Sequence, residues 1–227
     1  MSMDKTGDTI YVVGKGAIGK ALAVFLKLIN RKVILLRGSV ADVAPHMEEI
    51  TVTLNNGTIL QAPIEISTIN HFDKLDGIVV LTNKSFGNQD LSNALKNKIS
   101  RSPVVLLQNG LGVEKAFIEN NFPGVYRCVL FVTSQSLTDS SVRFKPVSAC
   151  PVGVVKGNSD ELNEITTLLT TQYCTFKPDD NIDLVVWRKA IINCAFNSIC
   201  PLLEIDNGIF HRDPEALAMA RTVVNEC

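Results

Sequence analysis

The sequence predicts an α/β fold, a mostly parallel sheet with flanking helices, followed by a helical segment. Three observations carry that prediction. Short β-branched runs alternate with stretches of helical periodicity, a Gly-rich turn joins the first such pair, and strand signals stop near residue 180. At 227 residues the chain can build one good core and part of another.

Thr9 to Val13 is β-branched and aromatic and reads as the first strand. Ile18 to Leu28 has apolar residues at helical spacing, and Lys32 to Leu36 is a second strand. Together they have the size of one βαβ module, about 30 residues. Glu49 to Leu54 and Thr58 to Gln61 flank Asn55-Asn56-Gly57, a hairpin signature. Gly77 to Leu81 and Pro103 to Leu107 read as buried strands, with a helix from Gln89 to Ile99 between them. Val125 to Thr133, Val142 to Phe144 and Val152 to Val155 are further strands. Ser159 to Thr171 reads as a helix and Cys174 to Phe176 as a short strand. Pro178-Asp179-Asp180 marks a boundary, which gives a first domain over 1–180 and the start of a helical domain over 181–227.

Composition excludes several classes. Hydrophobic residues make up 46% and charged residues 20%, an ordinary globular mixture, and the net charge is −1. Nothing in that balance attracts nucleic acid or an anionic membrane. Met1 to Asp8 lacks the apolar run of a signal peptide. The most apolar later stretch, Val185 to Leu203, is interrupted by Arg188, Lys189, Asn193 and Asn197, so it makes a poor membrane span. Six cysteines show no CxxC pair and no histidine at ligand spacing. Reduced thiols in a cytoplasm are expected, with neither a disulfide framework nor a metal site.

Gly14-Lys15-Gly16-Ala17-Ile18-Gly19 is a G-x-G-x-x-G between a strand and a helix. The first glycine permits the sharp turn, the second lets backbone approach a pyrophosphate, and the third allows close helix–strand packing. The helix start offers free N–H groups to phosphates. The strand and helix on either side favour a Rossmann-type dinucleotide site over the plainer reading of an ordinary glycine turn. The second strand ends Leu36-Arg37-Gly38-Ser39, with no acid until Asp42. An acid there would accept a ribose 2′-hydroxyl; Arg37 can instead fork onto a 2′-phosphate, with Ser39 as a further donor. NADP (NADPH) is therefore the expected cofactor, against the plainer reading of Arg37 as a solvated surface residue.

Lys189, Asn193 and Asn197 are spaced i, i+4, i+8 and share one side of a helix. Their neighbours Ala190, Ile191, Ile192, Ala195, Phe196 and Ile199 are apolar. Either a polar cleft faces the trio, or they lie in a helix–helix interface with a snorkelling lysine and two satisfied amides. A protonated lysine beside a carbonyl under reduction can stabilise the developing oxyanion and supply the proton. Asn109, in Gln108-Asn109-Gly110-Leu111-Gly112, and Lys84, in Leu81-Thr82-Asn83-Lys84, both follow strands. Ligands gather at strand carboxyl ends, so both are candidates for cofactor contact, although Asn-Gly is also plain turn chemistry.

These segments, in this order, resemble the ketopantoate reductase (2-dehydropantoate 2-reductase) family. The carrying residues are Val13 to Gly19, Leu81 to Lys84, Gln108 to Gly112 and Trp187-Arg188-Lys189-Ala190-Ile191-Ile192-Asn193, with Asn197 and Asn207-Gly208 at matching spacing. The resemblance covers nearly the whole chain. It implies a Rossmann domain followed by an all-helical domain, and NADPH-dependent reduction of ketopantoate to pantoate in pantothenate biosynthesis. It implies Lys189 as the catalytic acid, Asn193 and Asn197 on the substrate, and Asn109 near nicotinamide and substrate. Arg37 and Lys84 would hold the 2′-phosphate.

Two departures accompany it. The family's helical domain supplies a carboxylate and a serine further on, whereas this chain ends at Cys227. The substrate pocket is therefore expected to be incomplete, with apolar helix faces exposed or covered by a second copy in a homodimer. Thr133-Ser134-Gln135 carries no clear family signature, which leaves the exact 2-oxo acid open. Competing readings are a catalytically weak NADPH-binding sensor, and another hydroxyacid dehydrogenase. No His-Glu dyad serves the latter, because His46 and His71 read as loop residues and His211 as part of a polar turn.

Overall fold

A computed structural model describes residues 9–38 and 44–227. Ser39 and Asp42, the sequence candidates after the second strand, lie outside the described residues. The chain divides into two compact units, Met1–Ile182 and Asp183–Cys227.

The first unit opens with β1 (Thr9–Val13), α1 (Ala17–Leu28) and β2 (Lys32–Arg37). β3 (His46–Leu54) and β4 (Ile59–Thr68) follow, then β5 (Gly77–Leu81), α2 (Asn88–Lys96) and β6 (Val104–Leu106). After α3 (Lys115–Glu119) come β7 (Val125–Cys128), β8 (Val132–Ser136), β9 (Ser141–Pro146) and β10 (Cys150–Lys156). α4 (Ser159–Leu169) and β11 (Phe176–Pro178) complete it.

All eleven strands join one sheet in the order β11-β10-β7-β6-β5-β1-β2-β4-β3-β9-β8. The central run from β7 through β4 is parallel, whereas β3–β4, β8–β9 and β7–β10 are antiparallel. Val13 pairs with Leu36 and Leu81, and Leu81 with Leu106. The carboxyl ends of β1, β2, β5 and β6 are thus level, the edge where a doubly wound sheet takes its ligands.

The central strands are apolar on both faces because helices cover both. Ile10, Val12 and Val80 pack in a core with α1, while Val13, Val79 and Leu81 pack with Leu91 and Leu95 of α2. α1 is unusually enclosed: Gly19 to Leu26 are all buried. Phe25 meets Phe144 of β9 edge-on at 4.9 Å and Tyr173 at 5.1 Å, so residues far apart in the chain close over this helix.

Several expectations need correction. Val125 to Thr133 is not one strand. After Cys128 the chain leaves β7, and Val132–Ser136 pairs with β9 at the far edge of the sheet. A run that is apolar apart from Arg127 and Thr133, with no Gly or Pro inside it, carries no mark of such a departure. The Thr58 to Gln61 strand extends to Thr68, because after Pro63 it becomes the parallel partner of β2 from Glu65 onward. Pro63 has no N–H to donate and lies before that ladder begins. The short strand expected at Cys174 to Phe176 is instead Phe176–Pro178. His46 is the first residue of β3 and not a loop residue, and His71 ends a short 3₁₀ turn, Ile69–His71.

The second unit contains most of α5 (Ile182–Leu203), α6 (Ile209–Arg212) and α7 (Pro214–Glu226). His211 lies in α6 and not in a polar turn. Ala195, Ile199 and Cys200 of α5 pack with Phe210 of α6 and Ala216 and Ala220 of α7. Asp213 caps α7 by accepting from the N–H groups of Glu215 and Ala216, with Pro214 at the first helical position. α5 ends at Leu203, and Glu204 just beyond it takes a left-handed φ of 55°. Pro201 near its end has no N–H, so the helical acceptor at Asn197 loses its usual donor. Among the described residues no helix is long and apolar enough to cross a membrane.

Candidate active site

The turn after β1 is shaped by contacts that only glycine allows. Gly14 has φ +119°, and a Cβ there would sit 2.6 Å from the backbone nitrogen of Asn83. A Cβ on Gly19 would run into the carbonyl oxygen of Gly14 and lie 2.7 Å from Thr82 Oγ1. Thr82 explains the tightness: its hydroxyl is placed to donate to the carbonyls of Val13 and Gly14, both at 3.0 Å. The Gly14 N–H donates to Leu36 O at 2.8 Å, which fixes the turn to β2 as well.

Gly16 differs. A Cβ there would meet nothing within 4 Å. It caps α1 without a side-chain hydrogen bond, and no acid occupies the first turn. The start of α1 therefore has no side-chain cap and open space beside Gly16, which is what a pyrophosphate needs. Ala17 and Ile18 form the first turn of α1, half-buried beside it.

A cleft of about 700 Å³ lies beside this turn. Gly14, Lys15, Arg37 and Lys84 all line it, together with Asn83, Phe86 and Asp90. The structure thus brings together residues from the ends of β1, β2 and β5. Arg37 is half-buried, Lys84 is exposed, and Phe86 is 93% exposed. Asn83 Oδ1 is buried without a hydrogen-bond partner in the cleft wall, an acceptor suited to a ligand hydroxyl or amine. Lys15 is already engaged: its Nζ donates to Glu48 Oε2 of β3 at 2.6 Å. Lys20, only 3% exposed, donates to the carbonyls of Thr138 and Asp139 at 3.3 and 3.2 Å. Burial, and then the charge of Lys15, hold its ammonium below the ordinary lysine pKa.

Asn109 follows β6, one strand over from the end of β5, and is exposed. Beneath it the Gln108 and Asn88 amides bond reciprocally at 2.8 and 2.7 Å. Gln108 also donates to Asn83 O at 3.0 Å, and Asn88 to Val113 O at 2.8 Å. The loops after β5 and β6 are therefore tied through one buried pair of amides.

In the second unit, Lys189, Asn193 and Asn197 all lie on α5. Lys189 and Asn193 are half-buried and Asn197 is exposed. Of their apolar neighbours, Ala195 and Ile199 face the local core, whereas Ile192 is half exposed.

Sequence reasoning missed Thr82, Asn88, Glu48 and the buried Arg127. Thr82 had a signal, as a hydroxyl directly after a strand beside the Gly-rich turn. Glu48 stands 33 residues from Lys15, and no local pattern joins them.

A level strand edge, a glycine-shaped phosphate turn and a cation-lined cleft define a Rossmann-type dinucleotide-binding protein. Residues 10–157 match the ketopantoate reductase PanE/ApbA family, and residues 181–227 match the C-terminal region of ketopantoate reductase PanE/ApbA. The chain belongs to the ketopantoate reductase family and is an oxidoreductase. It is 27% identical over 225 residues to a 2-dehydropantoate 2-reductase of Pyrococcus horikoshii, covering 96% of this chain and 71% of that one. The corresponding protein of Pyrococcus abyssi is 24% identical over 223 residues, with the same coverage. Among solved structures, a ternary structure of D-mandelate dehydrogenase with NADH and anilino(oxo)acetate superposes with a TM-score of 0.78 at 23% identity. The match covers 96% of this chain and 72% of that one.

Proposed function

We propose that this chain reduces a 2-oxo acid with NADPH, and that the substrate is ketopantoate, giving pantoate for pantothenate biosynthesis. The observation that carries the cofactor half is the convergence of Gly14, Lys15, Arg37 and Lys84 on one cleft. Family membership carries the substrate half.

The uncapped start of α1 receives the pyrophosphate, with Gly16 leaving room for it. Arg37 forks onto the 2′-phosphate and Lys84 adds a second cation, which selects NADPH over NADH. When bound, the nicotinamide supplies a hydride to the substrate C2. Asn109 positions the reacting groups at the end of β6. Lys189 donates a proton to the carbonyl oxygen as charge develops there, while Asn193 and Asn197 orient the acid without adding net charge. One hydride and one proton add across the carbonyl, and Lys189 regains its proton from solvent. A homodimer and a soluble, cytoplasmic setting complete the proposal.

Purified chain, NADPH and ketopantoate, followed by absorbance at the nicotinamide band, test it. Lysine-dependent turnover with NADPH preferred over NADH is the expected result. Tight NADPH binding without turnover would point instead to a sensor. Turnover only with NADH and aryl 2-oxo acids would make it a different hydroxyacid dehydrogenase.

A further inference from the structure

Arg127 is a charged side chain with almost no contact with water. It is 3% exposed and stands at the end of β7, level with Leu106 of β6. Its Nη1 donates to Gln108 O at 2.6 Å and its Nη2 to Gly110 O at 2.5 Å. Its Nε faces Glu114 Oε2 at 3.6 Å. The two carbonyls belong to the residues on either side of Asn109. One rigid guanidinium therefore grips the 108–109 peptide unit, which leads into this asparagine, and the 110–111 unit one residue beyond it.

That use of a buried cation is costly, since burial lowers the pKa of the guanidinium and Glu114 offsets only part of the penalty. Simple neutralisation of a carboxylate would not require two carbonyl acceptors. A lysine could not reach both with fixed geometry, because only the planar fork presents two N–H groups at a set spacing. The Asn88–Gln108 amide pair holds the same loop. Gly110, with φ +109°, lets the chain turn between the two grips.

We propose that Arg127 is a positioning residue for the reaction, fixing the Gln108–Gly110 backbone so that the Asn109 side chain is held towards the reacting groups. This rests on the proposed role of Asn109. The residue touches neither the cleft at Arg37 nor the glycine turn, so its loss leaves cofactor affinity intact and misaligns only the loop.

The test is a double-mutant cycle on the full chain with Asn109→Ala, Arg127→Met and both together. It reads kcat with NADPH and ketopantoate, the NADPH Kd, and amide hydrogen exchange over residues 108–113. Arg127→Met should lower kcat by roughly a hundredfold, the scale of a slight misplacement of a reacting group. Its NADPH Kd should stay within about twofold of wild type, and the double variant should be no slower than Asn109→Ala alone. Exchange over 108–113 should accelerate in Arg127→Met, and Arg127→Lys should fall between it and wild type.

Losses that multiply in the double variant, a wild-type kcat in Arg127→Met, or unchanged exchange over 108–113 would each overturn the proposal. If Arg127→Met does not fold, the same cycle is run with Arg127→Lys. A wild-type chain without turnover would defeat the proposed reaction instead, and exchange over 108–113 would still decide whether Arg127 holds the loop.

Discussion

The turn after β1 and the helix α5 both carry residues of the proposed site, but they are specified differently. At the turn, backbone sterics leave few alternatives: Gly14 has a positive φ, and a Cβ on Gly19 collides with the carbonyl of Gly14. On α5, a regular helix simply presents Lys189, Asn193 and Asn197 at four-residue intervals, and many other side chains would fit that backbone. Binding machinery made of backbone is written as glycine, a residue with few other reasons to recur at that spacing. Chemical machinery made of side chains is written in residues that also serve ordinary surfaces.

Substitutions can sharpen or break that contrast. The largest effect is expected at α5: Lys189→Ala should lower kcat by roughly a hundredfold to ten-thousandfold, the range of a lost proton donor. NADPH affinity, measured by fluorescence titration, should not change; a parallel loss would tie α5 to the cofactor and erase the distinction. Gly19→Ala should act oppositely, costing about 1–3 kcal/mol of stability through overpacking and abolishing NADPH binding. Denaturant unfolding with a wild-type midpoint would show that the turn can relax.

Arg37→Ala comes next. Losing charge-assisted hydrogen bonds of about 1.5–3 kcal/mol should weaken NADPH roughly tenfold to a hundredfold while leaving NADH unaffected. Equal losses for both cofactors would remove Arg37 from the 2′-phosphate. The smallest effect on the fold belongs to Gly16→Ala, whose Cβ enters open space. Its stability should stay within about 0.5 kcal/mol of wild type. NADPH should nevertheless bind more weakly, because the new methyl occupies space the phosphates need. Unchanged affinity would mean that the pyrophosphate does not approach there.

Much of this molecule is legible in its amino-acid order. The Gly14 to Gly19 turn, the strands on either side of it and the helical α5 follow from patterns within a few residues of one another. Arg37 and Lys84 are also readable, since strand ends in such a sheet face the ligand, and they do line one cleft. What stays hidden depends on long-range pairing. The split between β7 and β8 follows from where β9 lies, and a run such as Val125-Tyr126-Arg127-Cys128-Val129-Leu130 contains no punctuation to mark it. Nothing local to Arg127 inside that run marks its partners, the carbonyls of a loop nearly twenty residues earlier.

The enclosure of α1 also has a consequence in time. Phe25 finishes among side chains that include Phe144 and Tyr173, so its aromatic neighbours leave the ribosome long after it does. At about 5–20 residues per second, the interval from Phe25 to Tyr173 is on the order of ten seconds. An apolar helix of twelve residues spends that interval without its final cover. The helix that ends least exposed is thus among those that wait longest, and nascent chains arrested before Phe144 should present it as their stickiest segment.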